Sequence, residues 1–252
     1  MGVLFFCSCV PNRKILYLQS KNELDQDFRP DTVLRSYDLP QFGYRLKPED
    51  ILSIRVNSLT KEEFDFFQEN QSAQMLGNPA GLAISGYLID ENGDIEFPVV
   101  GNIQLSGLTI LEAQHKIQQA AQDFLTNPVV RVRLLNYRVT ILGEVNQEGV
   151  IDIFNNRVTV TEVIGRGGGF TDLANRSNVK VIRQNDEMAE VAYVNLLDEQ
   201  LLTSPYYYVQ SNDIIIVEPL KQRSFRQYFG PNVGLLVSSI SVLLLTLNLL
   251  NE

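Results

Sequence analysis

The stretch that decides the fold runs from Tyr44 to Val56 and reads Tyr-Arg-Leu-Lys-Pro-Glu-Asp-Ile-Leu-Ser-Ile-Arg-Val. Its Pro-Glu-Asp segment is typical of a turn, because proline fixes φ and a carboxylate accepts hydrogen bonds from nearby backbone N–H groups. After the turn, Leu52, Ile54 and Val56 alternate with polar residues. This period of two predicts a β-strand with one buried face.

The region that follows predicts antiparallel β-structure. We expect a strand at 87–89, a turn at 90–93 and a return strand at 95–97, since Asn-Gly in the turn is a strong hairpin signal. The carboxylates near this turn do not have the spacing of a calcium loop. Position six counted from Asp90 is Ile95, where an EF-hand needs glycine.

The clearest helix comes next. Thr109 and Glu112 form the capping-box pattern, apolar residues recur at helical spacing, and Asn127-Pro128 predicts the end of the helix. A strand is expected at 129–135. His115 is the sole histidine and falls on the polar face, with no cysteine or second histidine beside it. We therefore expect a solvated side chain, and neither a metal site nor a catalytic dyad.

A second unit begins at residue 139. Its pattern predicts two strands around a turn at 146–149, a short helix at 159–164 and a glycine-rich segment at 165–170. The glycines follow a helix and do not open one, so a helix C-cap and loop is favoured over a phosphate-binding loop. Further strands are expected at 179–183, 188–196, 206–209 and 214–217.

The strand predicted at 206–209 contains Tyr206, Tyr207 and Tyr208 in succession. Three aromatic side chains indicate a possible sugar-stacking surface, since the ring faces suit contact with a pyranose. The alternative is an ordinary strand, because tyrosine has high β-propensity. The second interpretation is favoured from the sequence, and the first stays open.

The last stretch, 233–250, contains no charged residue. As a helix of eighteen residues it reaches about 27 Å, close to the hydrocarbon thickness of a bilayer, and predicts a transmembrane helix. Cationic and aromatic residues precede it, as is typical of a membrane interface; they are Lys221, Arg223, Arg226 and Tyr228. Ser238, Ser241 and Asn248 fall within about 80° on the helix and predict a pore-lining stripe, although small polar residues also serve helix packing.

Composition excludes several classes of function. The chain has 252 residues and a net charge of −9 without a basic cluster, which argues against nucleic acid as a partner and against electrostatic docking on anionic lipid. Its two cysteines, Cys7 and Cys9, lie in the first ten residues. The body therefore has neither a disulfide nor a thiolate metal site, and no cofactor is expected.

Cys9 follows a short apolar run and Ser8, which is similar to the acylation signal of bacterial lipoproteins. The signal is imperfect, since it has no basic start and its apolar run is shorter than usual. We interpret 1–8 as a signal-peptide remnant and 9–40 as a lipidated tether. The alternative is a frayed N-terminus with incidental cysteines.

These motifs together resemble the Wza-like outer-membrane polysaccharide export family. The resemblance is carried by segments in the family's order, which are Tyr44–Leu52, Gly93–Gly101, Gly107–Ala113, Asn127–Val132, Ile141–Val145, Gly168–Thr171 and Asn212–Ile215. It implies an α+β fold with a polysaccharide export domain at 41–137, one soluble-ligand-binding β-grasp (SLBB) domain at 138–220, an interfacial linker at 221–232 and the transmembrane helix at 233–250.

The resemblance also implies a function. Such proteins are typically outer-membrane lipoproteins whose periplasmic bodies assemble into homo-oligomeric rings, octameric in this resemblance. The ring carries capsular polysaccharide or exopolysaccharide, and the partner is an inner-membrane polysaccharide co-polymerase. Export of this kind requires no catalytic residue. A non-conducting periplasmic glycan-binding lipoprotein and a glycosidase with two carboxylates across a cleft are the alternatives.

Overall fold

The computed structural model describes residues 16–19, 33, 35–41, 43–58, 86–185, 188–221 and 230–250. The predicted signal remnant, the lipidation site Cys9 and most of the tether lie outside the described residues. The same holds for Arg223, Arg226 and Tyr228 of the predicted interfacial linker.

The first domain is built around the predicted strand β1, Ile51–Asn57. Its other described elements are β2 (Tyr87–Leu88), β3 (Asp94–Phe97), β4 (Gly101–Gln104), α1 (Ile110–Gln122) and β5 (Val129–Leu134). β1 lies between β2 and β5 and pairs antiparallel with both, whereas β3 and β4 form a separate two-stranded sheet. Leu52, Ile54 and Val56 are buried, which confirms the predicted alternation.

The predicted pairing of 87–89 with 95–97 is wrong, although the turn between them exists. The Gly93 N–H donates to the Asp90 carbonyl over 2.9 Å. The Gly93 carbonyl, however, accepts from the N–H groups of Leu105 and Ser106, beyond the end of β4. This contact directs β3 toward β4, and β2 joins β1 instead.

Helix α1 begins as the sequence predicts. The Thr109 hydroxyl accepts from the Glu112 N–H over 3.3 Å, and the Glu112 carboxylate accepts from the Thr109 N–H over 2.7 Å. This reciprocal pair is a complete capping box. Ala113, Ile117 and Ala121 form the buried face of the helix, while His115 is exposed as predicted.

The second domain has a five-stranded mixed sheet beside one short helix. Its described elements are β6 (Arg138–Gly143), β7 (Gly149–Asp152), α2 (Val160–Arg166), β8 (Ala174–Asn185), β9 (Met188–Val194), a 3₁₀ helix (Glu199–Thr203) and β10 (Ile214–Pro219). The strand order is β7-β6-β10-β8-β9. Only β6 and β10 pair in parallel among these strands.

The strand predicted at 206–209 is wrong. This segment is a turn, and Tyr208 alone forms an isolated bridge, to Thr159. The physical reason is that β10 is already paired on one edge with β6 and on the other with β8. No edge of the central strand is left for residues 206–209 to join.

The glycine-rich segment ends α2, as predicted. Gly168 and Gly169 have φ of 75° and 79°, a region that disfavours side chains. The Gly169 N–H donates to the Ile164 carbonyl over 2.9 Å. The N–H groups of Asn146 and Gln147 donate to carbonyls of this loop, so these carbonyls are occupied by bonds within the protein.

The last described element is α3, Gly230–Leu250, which confirms a helix in the apolar C-terminal stretch. Every side chain described between Gly234 and Leu247 is exposed. Within the described part of the chain, we find no helix that has both the length and the apolar character needed to cross a membrane. The transmembrane span predicted at 233–250 is therefore unsupported.

The two domains meet at Asn136. Its amide oxygen accepts from the Ile51 N–H over 3.0 Å, and its amide nitrogen donates to the Glu49 carbonyl over 2.9 Å. Its backbone carbonyl accepts from the Ser211 hydroxyl over 3.3 Å. Leu134 packs against the cores of both domains. One linker residue thus bonds to the first turn of one domain and the last turn of the other.

We expect Gly143→Ala to destabilise the second domain by at least about 3 kcal/mol. Gly143 has a φ of 94°, and an added Cβ would lie 2.1 Å from the Val217 carbonyl oxygen in the adjacent strand. Gly165→Ala is the control, because Gly165 lies in α2 with nothing within 4 Å of the added carbon. The control should be neutral or stabilising by up to about 1 kcal/mol in chemical denaturation. Equal stabilities for the two variants would contradict the close strand packing.

Candidate functional site

The three consecutive tyrosines do not lie in one plane. Tyr207 and Tyr208 meet edge to face, with ring centroids 4.9 Å apart and an interplanar angle of 63°. The guanidinium of Arg183 lies 5.0 Å from the centre of the Tyr206 ring, and the Tyr206 hydroxyl donates to Glu190 over 3.1 Å. Sugar contact by Tyr206, Tyr207 and Tyr208 stays a prediction. The three rings do not form a single flat surface on which a sugar could stack.

A buried ion pair holds in place the turn that contains Tyr206, Tyr207 and Tyr208, which we call the tyrosine turn. Arg183 of β8 donates to both carboxylate oxygens of Asp213, over 3.1 and 2.8 Å, and Asp213 is only 1% exposed. The same guanidinium donates to the Tyr208 carbonyl over 3.1 Å. The Gln210 N–H donates to Asp213 over 2.7 Å. The pair therefore fixes the C-terminal end of the turn, at Tyr208 and Gln210, to the sheet, through bidentate geometry that arginine suits.

A second buried polar pair lies at the domain junction. The Tyr44 hydroxyl donates to the Asp50 carboxylate over 2.8 Å, and the Lys47 N–H donates to it over 2.9 Å. Burial raises the pKa of Asp50, although these hydrogen bonds oppose the shift. Burial, and then the nearby Asp50 carboxylate, raises the pKa of Tyr44. The Tyr44 ring stacks on Tyr137, whose hydroxyl donates to the Val209 carbonyl over 2.7 Å.

An open groove lies beside this junction and has a volume of about 1000 Å³. Its lining comes from residues 39–41, from β5, from the loop after β7 and from the tyrosine turn. The lining residues are Leu39, Pro40, Gln41, Arg133, Phe154, Asn155, Asn156, Arg157 and Tyr208. Sequence reasoning did not single out this groove. The local signal was Phe154-Asn-Asn-Arg157, where an aromatic residue interrupts a polar loop.

The serines of the predicted pore-lining stripe bond within their own helix. The Ser238 hydroxyl donates to the Leu235 carbonyl over 2.9 Å, and the Ser241 hydroxyl donates to the Val237 carbonyl over 2.8 Å. This satisfies the hydroxyl protons and leaves oxygen lone pairs on the helix surface. The Asn248 side chain lies outside the described residues. A lumen-facing role of these three residues stays a prediction.

The described residues contain no group of three or more histidine, cysteine, aspartate or glutamate side chains arranged to hold a metal ion. The polar residues of the two buried pairs are engaged with one another and with backbone groups. Their geometry serves to position loops and to join domains.

Comparison with known proteins assigns both domains. Residues 39–135 match the family described as polysaccharide biosynthesis/export protein, and residues 137–217 match the SLBB domain. An export domain followed directly by an SLBB domain defines the class, a Wza-like polysaccharide export protein. The chain belongs to this family, as its sequence motifs predict.

Two relatives are both described as EPS I polysaccharide export outer membrane protein EpsA. The relative from Ralstonia solanacearum is 31% identical over 184 residues, which are 70% of this chain and 48% of the relative. The relative from Ralstonia nicotianae is 31% identical over 146 residues, 56% of this chain and 38% of the relative. The chain thus spans about half or less of their length. The first matched family and both relatives are described by polysaccharide export and not by a catalysed reaction, which agrees with the prediction that the chain is not an enzyme.

Removal of one partner from the buried ion pair should be costly. We expect Asp213→Ala to lower the free energy of unfolding by about 3–5 kcal/mol, because it leaves the Arg183 guanidinium buried without a counter-charge. Glu218→Ala is the control, since the Lys180–Glu218 pair joins β8 to β10 over 3.0 Å but is partly exposed. That change should cost at most about 1 kcal/mol in urea denaturation. Similar losses of unfolding free energy for both variants would show that the buried Asp213 pair matters no more for stability than the partly exposed pair.

The pH dependence of stability should reveal Asp50. Its pKa is raised in the folded state above the ordinary 3.8, so the folded protein retains this proton over a range where the unfolded chain has lost it. The stability of the wild type relative to Asp50→Asn should therefore fall as pH rises from about 4. Paired urea titrations at several pH values measure this difference.

Asp90 supplies a control of opposite sign. Hydrogen bonds from the Asp94 N–H and its neighbours lower the pKa of Asp90 below 3.8. The stability of the wild type relative to Asp90→Asn should therefore rise as pH increases toward 3.8. A difference between the wild type and Asp50→Asn that stays constant above pH 4 would contradict the buried carboxyl at the junction.

Proposed function

We propose that this protein is a subunit of a ring-shaped outer-membrane exporter of capsular polysaccharide or exopolysaccharide. The observation that carries the proposal is the direct succession of export domain and SLBB domain, with Asn136 as the sole residue between the matched regions. A relative named for polysaccharide export aligns with 70% of this chain. The mechanism is passive, because the ring provides a hydrated passage and no bond of the polymer is broken.

The exposed apolar surface of α3 supports assembly into a homo-oligomer. Its described leucine, isoleucine and valine side chains between Leu235 and Leu249 are 50–68% exposed. A surface of this kind marks contact with another protein or with lipid. We propose that the α3 helices of neighbouring subunits gather at the membrane-associated end of the ring. Ser238, Ser241 and Asn248 then face the lumen, and acylated Cys9 attaches the subunit to the outer membrane.

An inner-membrane polysaccharide co-polymerase is the proposed partner of the ring, as the family resemblance implies. The second candidate function is a non-conducting periplasmic lipoprotein that binds glycan. The groove at the domain junction favours it as an alternative, because binding alone requires neither a ring nor a lumen. The two functions differ in oligomeric state and in the effect of gene deletion on surface polysaccharide.

The test combines deletion with complementation. Deletion of the gene should remove most surface polysaccharide, and the intact gene should restore it. Cryo-electron microscopy of the detergent-solubilised full chain should show a closed ring. A monodisperse monomer together with unchanged surface polysaccharide would exclude the exporter. If the protein is a monomer and deletion of its gene lowers only the amount of bound glycan, the non-conducting alternative is favoured.

The predicted stripe on α3 is tested by the triple variant Ser238→Leu, Ser241→Leu and Asn248→Leu. We expect export to fall several-fold while membrane attachment persists, because the change removes polar groups from the lumen wall and retains an apolar helix. Leu236→Ala, Leu243→Ala and Leu247→Ala together form the control for altered packing. Full export by the triple leucine variant would return α3 to the role of an anchor or packing helix.

A further inference from the structure

We infer that the groove at the domain junction binds a segment of acidic polysaccharide, recognised through the carboxylates of its sugars. The inference rests on the proposed function for its biological substrate, since it names the class of polymer that the exporter contacts. The binding itself is independent of ring formation and of export. It follows from the size, the charge and the aromatic content of the groove.

The size suits an oligosaccharide. A volume of about 1000 Å³ lies at the upper end of the range for pockets that hold drug-sized ligands, about 300–1000 Å³. The groove is open, so that a polymer can pass along it without its chain ends entering. Its walls belong to both domains, with Arg133 in β5 and Phe154 and Arg157 in the loop after β7. Binding sites for ligands are commonly placed at such domain junctions.

The charge of the groove is opposite to that of the chain. Among the described residues that line the groove, Arg133 and Arg157 are charged and none is a carboxylate, although the whole chain carries a net charge of −9. Neither arginine forms an ion pair with a carboxylate among the described residues. A groove whose described charges are both positive attracts anions.

The two guanidinium groups that line the groove suit carboxylate ligands. The Arg157 guanidinium lies 5.5 Å from the centre of the Tyr208 ring, a cation–π contact that orients it. A guanidinium presents N–H groups in a planar fork that matches the two oxygens of a carboxylate. Two such groups in one groove therefore favour uronic-acid sugars over neutral ones.

The remaining lining residues suit the uncharged parts of a sugar. Phe154 is 81% exposed, so its ring is available to the apolar face of a pyranose. Asn155 and Asn156 beside it are exposed, and amides both donate to and accept from hydroxyl groups. An aromatic face, amides and arginines in one groove form a coherent set for an acidic glycan.

The test is calorimetric titration of the purified full chain in detergent with oligogalacturonate, with a neutral glucose oligomer and with a sulfated oligosaccharide of similar length. Oligogalacturonate should bind at least about tenfold more tightly than the neutral oligomer, and less tightly as salt is raised. Stronger binding of the sulfated oligosaccharide would overturn recognition through carboxylates.

The variants separate the groove from general charge. Arg133→Gln with Arg157→Gln should weaken oligogalacturonate binding about tenfold or more, and Phe154→Ala about fivefold or more. Arg131→Gln with Lys116→Gln is the control, because it removes the same charge from exposed positions that do not line the groove. Unchanged thermal unfolding verifies that each variant is folded. Equal weakening by the control, or equal affinity for the neutral oligomer, would overturn the inference.

Two further outcomes distinguish this inference from the proposed function. Absence of oligogalacturonate binding by the intact protein would overturn the groove assignment, even if gene deletion abolishes export. Dissociation of the ring by the two arginine changes, without any glycan binding, would assign the groove to a contact between subunits and overturn the inference as well. Retained acidic-glycan binding in a protein whose deletion leaves surface polysaccharide unchanged would refute the exporter alone.

Discussion

The side-chain amide of Asn136 is the constraint on which the relation between the two domains depends. It bonds to the N–H of Ile51 and to the carbonyl of Glu49, so it closes the first turn of the export domain from the far end of that domain. The residue that follows, Tyr137, stacks on Tyr44 and donates to the Val209 carbonyl. Two adjacent residues thus connect three segments that are distant in sequence.

The second domain depends on a comparable contact inside its sheet. The Arg183–Asp213 pair holds the turn that replaces the strand predicted at 206–209, and Tyr208 of that turn forms one wall of the groove. A buried pair of charges carries a large desolvation cost that offsets much of its attraction, although removal of one partner is costly. The main effect of the Arg183–Asp213 pair is to position the aromatic side chains of the turn, more than to add stability.

The sequence was most informative where local chemistry decides structure. The alternation after Pro48, the capping box at Thr109 and the glycine C-cap all rest on neighbouring residues, and each was visible in the sequence. Pairing depends on residues far apart, which explains the incorrect partner for β2 and the incorrect strand at 206–209. The groove is lined by residues 39–41, Arg133, 154–157 and Tyr208. Because these residues are far apart along the chain, no local sequence pattern predicts the groove.

The order of strands in the second sheet has a consequence for how the chain folds. β10 is the last strand along the chain but lies at the centre of the sheet, between β6 and β8. Before β10 is present, β6–β7 and β8–β9 are two separate hairpins without a shared ladder. Closure of the loop from Thr140 to Ile214 carries an entropic cost that is recovered only when β10 enters. We therefore expect the sheet to be completed late in folding, and a nascent chain that stops before Ile214 to hold two open hairpin edges in place of a sheet.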